Sequence, residues 1–420
     1  MSTLGSAARR WLTDASLYGL SAGVAAVTAV AADIPLQRAW GRTALWGYSF
    51  ATLAAAAASF RRWGETQERR CRVLLAVTVF SATALVPLGV AAYLRAEGDP
   101  SDHAQSEVII VEEGADALLD GRDPYSERYV NGPLSDRPLA TQIHFPYMPL
   151  MLVFGVPRAL VGHASWADAR VWFTIVSLLI AVVCLRQVTS AHARVRTFQV
   201  LFALPTGALL LATGGDDIPV LALLLAVFAL AQRGDSQGAG LVGGLALAMK
   251  QTSLLVLPFV ALAMPAGSER RRSLLTGCLV GLGISLPFAV WNFDAFVEDT
   301  ILFPLNAGPG ESAAGTPTIG SLLLDLFPSQ RSAITVILVS VILGAVGFLL
   351  VSGRGASMSE ACTRAAGAFL IASVLAPAAR VGYLVYPVNL IAWAVAFRQT
   401  DADASLDATG TLPLSDAREI

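Results

Sequence analysis

Residues 332–351 read SAITVILVSVILGAVGFLLV and contain no charged side chain. A helix of roughly 20 apolar residues is long enough to cross the hydrocarbon core of a bilayer. Comparable apolar stretches recur along the whole chain. We predict membrane segments at 17–32, 43–60, 73–94, 146–162, 170–186, 197–213, 217–232, 238–264, 273–291, 332–351, 360–378 and 382–398. The sequence therefore predicts an all-α polytopic membrane protein with about 10–12 membrane helices.

The composition supports this class and excludes several others. Of the 420 residues, 55% are hydrophobic and 14% are charged, whereas soluble domains carry about 25% charged residues. The net charge of −2 and the lack of a basic stripe exclude a nucleic-acid-binding protein. The four cysteines lie in or beside apolar segments, so we expect neither a disulfide framework nor a cysteine metal site. Arginine far outnumbers lysine and alanine is abundant, which suggests a high-GC, actinobacteria-like source.

The distribution of arginines predicts the orientation in a bacterial plasma membrane, because cytoplasmic loops are enriched in basic residues. The arginine-rich loops are 61–72, 186–196 and 265–272. The segments 95–145 and 292–330 are acidic and are expected outside. This arrangement requires the segment 146–162 to enter and leave on the outer side and the segment 238–264 to do so on the cytoplasmic side. Such irregular segments are tolerated where they line a protein cavity.

We expect one transmembrane domain over residues 1–398, with both termini cytoplasmic and a disordered polar tail over 399–420. The first outer loop contains apolar residues at helical spacing between Glu107 and Leu119, followed by Gly121. This pattern predicts an amphipathic surface helix that ends at the glycine. Its acidic residues either solvate the polar face or include a general base.

The stretch from Glu107 to Tyr125 resembles the first outer loop of glycosyltransferase family 87. Members of that family are polytopic GT-C enzymes and include bacterial α-mannosyltransferases. In the family an acidic residue opens a surface helix, which leads to Leu-Leu-x-Gly and then to Tyr. The resemblance assigns Gly121 and Tyr125 to this pattern and places Glu107 at the acidic position, where the family more usually has Asp. Asp102 is the alternative acid.

Two further segments resemble the same family. Residues 145–150, Phe-Pro-Tyr-Met-Pro-Leu, are similar to an aromatic Tyr-Pro-Pro motif at the start of a membrane helix, with Met148 in place of one proline. Residues 238–258 are similar to a glycine-rich helix that ends in lysine before a proline-bounded apolar run. With the layout of the spans, the resemblance covers roughly residues 75–300.

The resemblance implies an inverting transfer of a sugar, mannose by family analogy, from a polyprenyl-phosphate donor. The acceptor would be an envelope glycolipid or polysaccharide outside the membrane. Glu107 or Asp102 would be the base that takes the proton of the acceptor hydroxyl. A transporter or flippase for a lipid-linked envelope precursor is the alternative function, and a non-catalytic scaffold is a third. No nucleic-acid partner is expected.

The candidate substrate-binding residues are Arg122, Tyr125, His144, Tyr147, Asp216, Asp217, Lys250 and Arg380. Lys250, the only lysine, contacts a lipid phosphate, forms a structural ion pair, or extends to the cytoplasmic interface. Asp216 or Asp217 binds sugar hydroxyls or substitutes as base, and the alternative role for Asp217 is to cap the following helix. No metal-binding motif is present. We expect no cofactor, although weak binding of Mg²⁺ or Ca²⁺ by the outer acidic residues stays open.

Overall fold

The computed structural model describes residues 6–188, 190–305, 316, 318–377 and 379–409, with only the backbone for 399–409. Within these ranges the chain forms helices and no β-strand, which confirms the predicted all-α fold. The first half contains α1 (Ser6–Ala31), α2 (Pro35–Ser59), α3 (Glu65–Phe80), α4 (Val86–Glu97), α5 (Ser106–Leu119), α6 (Leu139–Gln142), α7 (Val156–Val161), α8 (Ala169–Leu185), α9 (Ala191–Phe198) and α10 (Pro205–Thr213).

The second half contains α11 (Asp217–Gln232), α12 (Ser236–Met249), α13 (Leu257–Ala263), α14 (Ser268–Trp291), α15 (Phe293–Val297), α16 (Ile319–Leu326), α17 (Arg331–Ser352), α18 (Met358–Leu375) and α19 (Val385–Thr409). Among the described residues, seven helical segments are long and apolar enough to cross a membrane, and four shorter apolar helices accompany them. The last helix continues past the predicted boundary at 398, so part of the predicted tail is helical. Residues 410–420 lie outside the described residues.

Single turns of π-helix at Ser81–Leu85 and Gln199–Ala203 interrupt two membrane segments. Pro87 has no backbone N–H, so it cannot donate to the carbonyl of Thr83 four residues earlier. The indole N–H of Trp40, from α2, donates to this carbonyl at 2.7 Å. Such irregular turns persist in apolar surroundings because side chains of neighbouring helices satisfy the backbone.

Ion pairs and hydrogen bonds define two ends of the helical bundle. One end, called the loop end, holds α5 and the segment 146–162. The other, called the arginine end, holds the starts of α1, α3, α9 and α14. The segment 146–162 begins and finishes at the loop end, since Pro146 accepts a hydrogen bond from Gln251 and Arg158 lies 3.2 Å from Glu112. This agrees with the predicted topology of the segment.

The segment 236–263 is a helical hairpin whose two ends lie at the arginine end. The start of α12 packs against the start of α14, and Arg270 at the start of α14 donates to the carbonyls of Leu262 and Met264. The turn between α12 and α13 reaches the loop end, where Lys250 contacts Asp216. The predicted return of this segment to its starting side is therefore present.

Glycines bring α12 and α14 into backbone contact. A Cβ atom on Gly240 would lie 2.3 Å from the carbonyl oxygen of Ser273, and one on Gly244 would lie 2.6 Å from that of Gly277. Small residues spaced by four permit this close approach in membranes, where dispersion contacts drive helix association. The glycine-rich sequence thus fixes the hairpin that carries Lys250.

We expect Gly244→Ala to lower the free energy of unfolding by about 1–3 kcal/mol, because the added methyl forces the two helices apart. Thermal unfolding of the purified protein in detergent measures the effect. Gly283→Ala is the matched control, since a Cβ on this glycine of α14 has no neighbour within 4 Å. Alanine favours helix over glycine, so the control is expected to be neutral or stabilising. Equal melting shifts for both variants would contradict the packing argument.

Candidate active site

A buried cluster of two carboxylates and one ammonium lies at the loop end. The Nζ atom of Lys250 lies 2.5 Å from Oδ2 of Asp216 and 2.5 Å from Oδ1 of Asp217. All three residues are at most 6% exposed. The two acids outnumber the one lysine, so the cluster carries one negative charge in excess when all three are ionised. An ammonium with two close carboxylates is held firmly in place.

Turns between helices position these three side chains. Gly215 adopts φ +88°, a left-handed conformation that suits glycine, in the turn between α10 and α11. This turn delivers both aspartates to the start of α11. Lys250 follows the last residue of α12 and is extended, with φ −156° and ψ 133°. Neither aspartate caps α11 through its side chain, so the capping alternative is wrong, and both carboxylates bind Lys250 instead.

Aromatic side chains surround the ammonium. Lys250 Nζ lies 5.4 Å from the ring centroid of Tyr147 and 5.7 Å from that of Tyr383, within range of cation–π attraction. Tyr386 donates its phenolic proton to Asp217 Oδ1 at 2.7 Å, and its oxygen also lies 2.9 Å from Thr252 Oγ1.

A more accessible ion pair lies beside the buried cluster and joins α5 to the segment before α19. Glu107, in the first turn of α5, pairs with Arg380, which precedes the short helix that carries Tyr383. The side chains are 18% and 38% exposed, respectively. The backbone N–H of Gln105 donates to the carbonyl of Thr213 at 3.0 Å, which ties the start of α5 to the turn with the two aspartates. The structure thus brings Glu107, Arg380 and the Lys250 cluster to one region.

A buried ionic network holds α5 in position. Arg95 binds both carboxylate oxygens of Glu112, at 3.1 and 2.7 Å, and also contacts Asp168 at 3.0 Å. Arg158 lies 3.2 Å from Glu112, and Arg170 makes two side-chain contacts of 2.8 Å to Asp168. Burial acts against the charge of Asp168, but Arg170 and then Arg95 outweigh it and hold its pKa well below the usual value. Glu112 is therefore a buried ion-pair partner and does not solvate a polar face of α5.

His144 forms a second buried pair, with an acid that follows α15. Its Nδ1 lies 2.6 Å from Oδ1 of Asp299, whose other oxygen accepts from the backbone N–H of Phe145 at 2.7 Å. The imidazole stacks on Phe303 with centroids 4.2 Å apart. Burial raises the pKa of Asp299, although the hydrogen bonds from His144 and the backbone oppose this. The pair fixes the chain just before Tyr147.

Three predicted residues make no described hydrogen bond or ion pair with Glu107, Arg380 or Lys250. Asp102 is exposed in a turn, and Arg122 is exposed and bound to Glu127 at 2.6 Å. Tyr125 is buried and donates to the carbonyl of Tyr147 at 2.9 Å, so it positions the backbone of Tyr147 without facing Lys250 itself. The predicted glycine end of α5 is present, since Gly121 has φ +74°, but most of this helix is buried rather than lying on the surface.

Five residues of the region were not predicted from the sequence: Arg95, Asp168, Asp299, Tyr383 and Tyr386. Charged residues beside apolar segments could have indicated Arg95, Asp168 and Asp299, but the sequence does not show which residues they pair with. Among the described residues, no group of three or more His, Cys, Asp or Glu gathers as a metal-binding set.

A comparison with known families gives the identity. The sequence profile described as glycosyltransferase family 87 matches residues 145–378, more than half of the chain. The chain belongs to glycosyltransferase family 87. This match confirms the resemblance to the family, and the described residues have the predicted all-helical fold. The match extends beyond residue 300, where the sequence analysis found little family signal, and it does not include Glu107.

Solved structures with a similar fold include ArnT from Cupriavidus metallidurans in two states. The apo state is 19% identical with a TM-score of 0.45, covering 81% of this chain and 66% of ArnT. The state bound to undecaprenyl phosphate is 16% identical with a TM-score of 0.47, covering 84% and 67%. This chain therefore spans about two thirds of the length of ArnT. No curated protein matches the chain.

Proposed function

We propose that the protein transfers a sugar, mannose by family analogy, from a polyprenyl-phosphate donor to an envelope glycolipid or polysaccharide. The proposal rests on membership of family 87 and on one observation, the accessible Glu107–Arg380 pair beside the buried Lys250 cluster. A carboxylate and a guanidinium at one place are the groups that transfer from a phosphate donor requires, because one takes a proton and the other stabilises a phosphate.

In the proposed reaction, the acceptor hydroxyl oxygen attacks the anomeric carbon as the bond from that carbon to the phosphate oxygen breaks. Glu107 takes the hydroxyl proton, and the polyprenyl phosphate leaves with the bonding electron pair. Arg380 stabilises the negative charge of the departing phosphate. Because attack and departure occur on opposite faces of the sugar, the configuration at the anomeric carbon inverts. Donor phosphate would compete with Glu107 for Arg380, which frees the carboxylate to act as base.

Accessibility favours Glu107 over the other acids as the base. Asp216 and Asp217 are each 6% exposed and contact the buried Lys250, whereas the side chain of Glu107 is 18% exposed. Asp102 is exposed in a turn, and the described structure gives its side chain no contact with the site. A base must lie within hydrogen-bond reach of the acceptor proton. We assign the Lys250 cluster to holding the turn and the tyrosines around the sugar.

The enrichment of arginine at one end supports the orientation predicted from sequence. We propose that the arginine end faces the cytoplasm of a bacterial cell and that the loop end, with Glu107 and Arg380, faces outside. A donor carried by a membrane lipid would then reach the site from the outer leaflet.

The proposal is tested by sugar transfer with purified protein in lipid bilayers. Labelled polyprenyl-phosphate-mannose is offered together with envelope glycolipids extracted from a bacterium with a similar envelope, and label in a new lipid or polysaccharide is measured. Turnover supports the enzyme. Movement of intact labelled donor across the bilayer without transfer would instead support the flippase alternative. Other lipid-linked sugars in parallel reactions test the identity of the sugar.

We expect Arg380→Gln to lower kcat about 10- to 1,000-fold, because one charged contact to the leaving phosphate is lost. Arg42→Gln is the matched control, since this arginine of α2 is exposed and belongs to no contact of the site. The initial rate at saturating donor is the measurement. An unchanged kcat for Arg380→Gln, with normal yield and melting temperature, would remove Arg380 from the mechanism.

A further inference from the structure

A basic cavity lies at the arginine end, at the opposite end of the bundle from the candidate active site. Its volume is about 380 Å³. Arg10, Arg72, Arg196 and His192 line its polar side, and residues of α19, among them Val395, line the other. None of these residues takes part in the proposed transfer. The helices α1, α3, α9 and α19 contribute to the cavity, so it is a property of the assembled fold.

The ion pairs at the cavity contain more guanidinium groups than carboxylates. Arg10 pairs with Glu68 at 2.6 Å, whereas Arg72 and Arg196 share Asp14, at 2.6 and 2.9 Å. Three guanidinium groups therefore face two carboxylates. These five paired groups carry one net positive charge, which attracts an anion, and Glu65 in the first turn of α3 acts on Arg10 and His192 from outside the pairs. The side chains of Arg10 and Arg196 are 28% and 23% exposed, so an anion can reach them from outside the bundle.

Two donors at the cavity are suited to an anionic ligand. Within the described chain, Nη1 of Arg196 is buried and has no hydrogen-bond partner. Nδ1 of His192 lies 2.9 Å from Nη1 of Arg72. A guanidinium only donates, so Nδ1 must accept and the imidazole carries its proton on Nε2, which is then a donor. The start of α9, at Ser190, also lines the cavity, and helix N-termini favour anions.

The opposite wall determines which anion fits. Ala392 and Val395 give it an apolar surface, and the neighbouring Ile391 is 55% exposed on the outside of the bundle. A ligand with a phosphate and hydrocarbon chains matches both walls. Basic pockets between membrane helices are typical sites for anionic lipid headgroups.

We propose that this cavity binds the phosphodiester headgroup of an anionic phospholipid from the leaflet at the arginine end. The phosphate contacts Arg196, Arg72 and His192, and the acyl chains lie along α19. The lipid would join α1, α3, α9 and α19 without entering the reaction.

Native mass spectrometry of the purified full-length protein with added phosphatidylglycerol tests the proposal. We expect the wild type to retain one phosphatidylglycerol and Arg196→Gln to bind it about tenfold more weakly, because a charge-assisted contact is lost. Asp14 keeps its contact with Arg72 in this variant, so the fold is expected to persist. Ala392→Phe fills the apolar side and should weaken binding without changing a charge.

Arg69→Gln is the matched control, because Arg69 is an exposed arginine of α3 outside the cavity lining. Retention of phosphatidylglycerol at equal affinity by wild type, Arg196→Gln and Ala392→Phe would overturn the proposal. A zwitterionic phosphatidylcholine should bind more weakly than phosphatidylglycerol. Binding of inorganic phosphate without retention of either lipid would also overturn it, since the ligand would then be a soluble anion.

Discussion

Glu107→Gln is expected to lower the rate of sugar transfer about 100- to 10,000-fold, the usual effect of removing a general base. The amide keeps the size of the side chain and can still accept a hydrogen bond from Arg380, but it cannot take the acceptor proton. Glu107 belongs to the accessible pair, so the substitution leaves no buried charge unpaired. The initial rate with saturating donor, measured on protein with unchanged melting temperature, checks the expectation.

Two companion variants make this result specific. Asp120→Asn changes an exposed acid just after α5, which contacts Arg122 at 3.2 Å, and should leave the rate unchanged. Glu107→Asp restores the residue more usual in the family with a side chain one methylene shorter, so we expect partial activity. If Glu107→Gln retains full turnover, the base is another acid, and the assignment of Glu107 fails even though the enzyme stands.

The helices of this fold were predictable because each membrane segment is a local property of the sequence. The length and apolar composition of an uncharged run such as 332–351 are enough to predict a membrane helix, whatever residues pack against it. The two irregular segments also followed, because the arginine-rich loops permit only one consistent path through the membrane. The bounds were less accurate, as α1 and α19 show, since polar residues extend both helices beyond the apolar run.

The site was predictable in its members but not in its pairing. Glu107 and Arg380 were both candidates, yet they are 273 residues apart, and no local pattern indicates that one faces the other. Lys250 was recognised as exceptional because an ion within an apolar segment needs a partner. The alternative that it extends to the cytoplasmic interface is wrong, because the hairpin turns the chain toward Asp216 and Asp217 instead.

Lys250→Met is expected to lower the free energy of unfolding by about 3–5 kcal/mol, the cost of stranding buried charges by removal of their partner. Methionine preserves the length and apolar stem of the side chain but leaves two adjacent carboxylates facing each other. Tyr386 still donates to one of them, and a phenol does not replace an ammonium. The melting temperature and yield of folded protein in detergent, compared with those of wild type, measure the loss.

A triple variant separates the unpaired charge from the loss of lysine itself. Lys250→Met combined with Asp216→Asn and Asp217→Asn removes every charge of the cluster, and neutral replacement of a whole buried ion group is often close to neutral in stability. Asparagine at position 217 still offers an oxygen to the hydroxyl of Tyr386. We therefore expect the triple variant to melt within a few degrees of wild type. If Lys250→Met already melts like wild type, the cluster contributes no net stability, and the lysine must be tested as a direct ligand of the donor phosphate. If the triple variant is stable yet transfers no sugar, the same charges act on the substrate as well as on the fold.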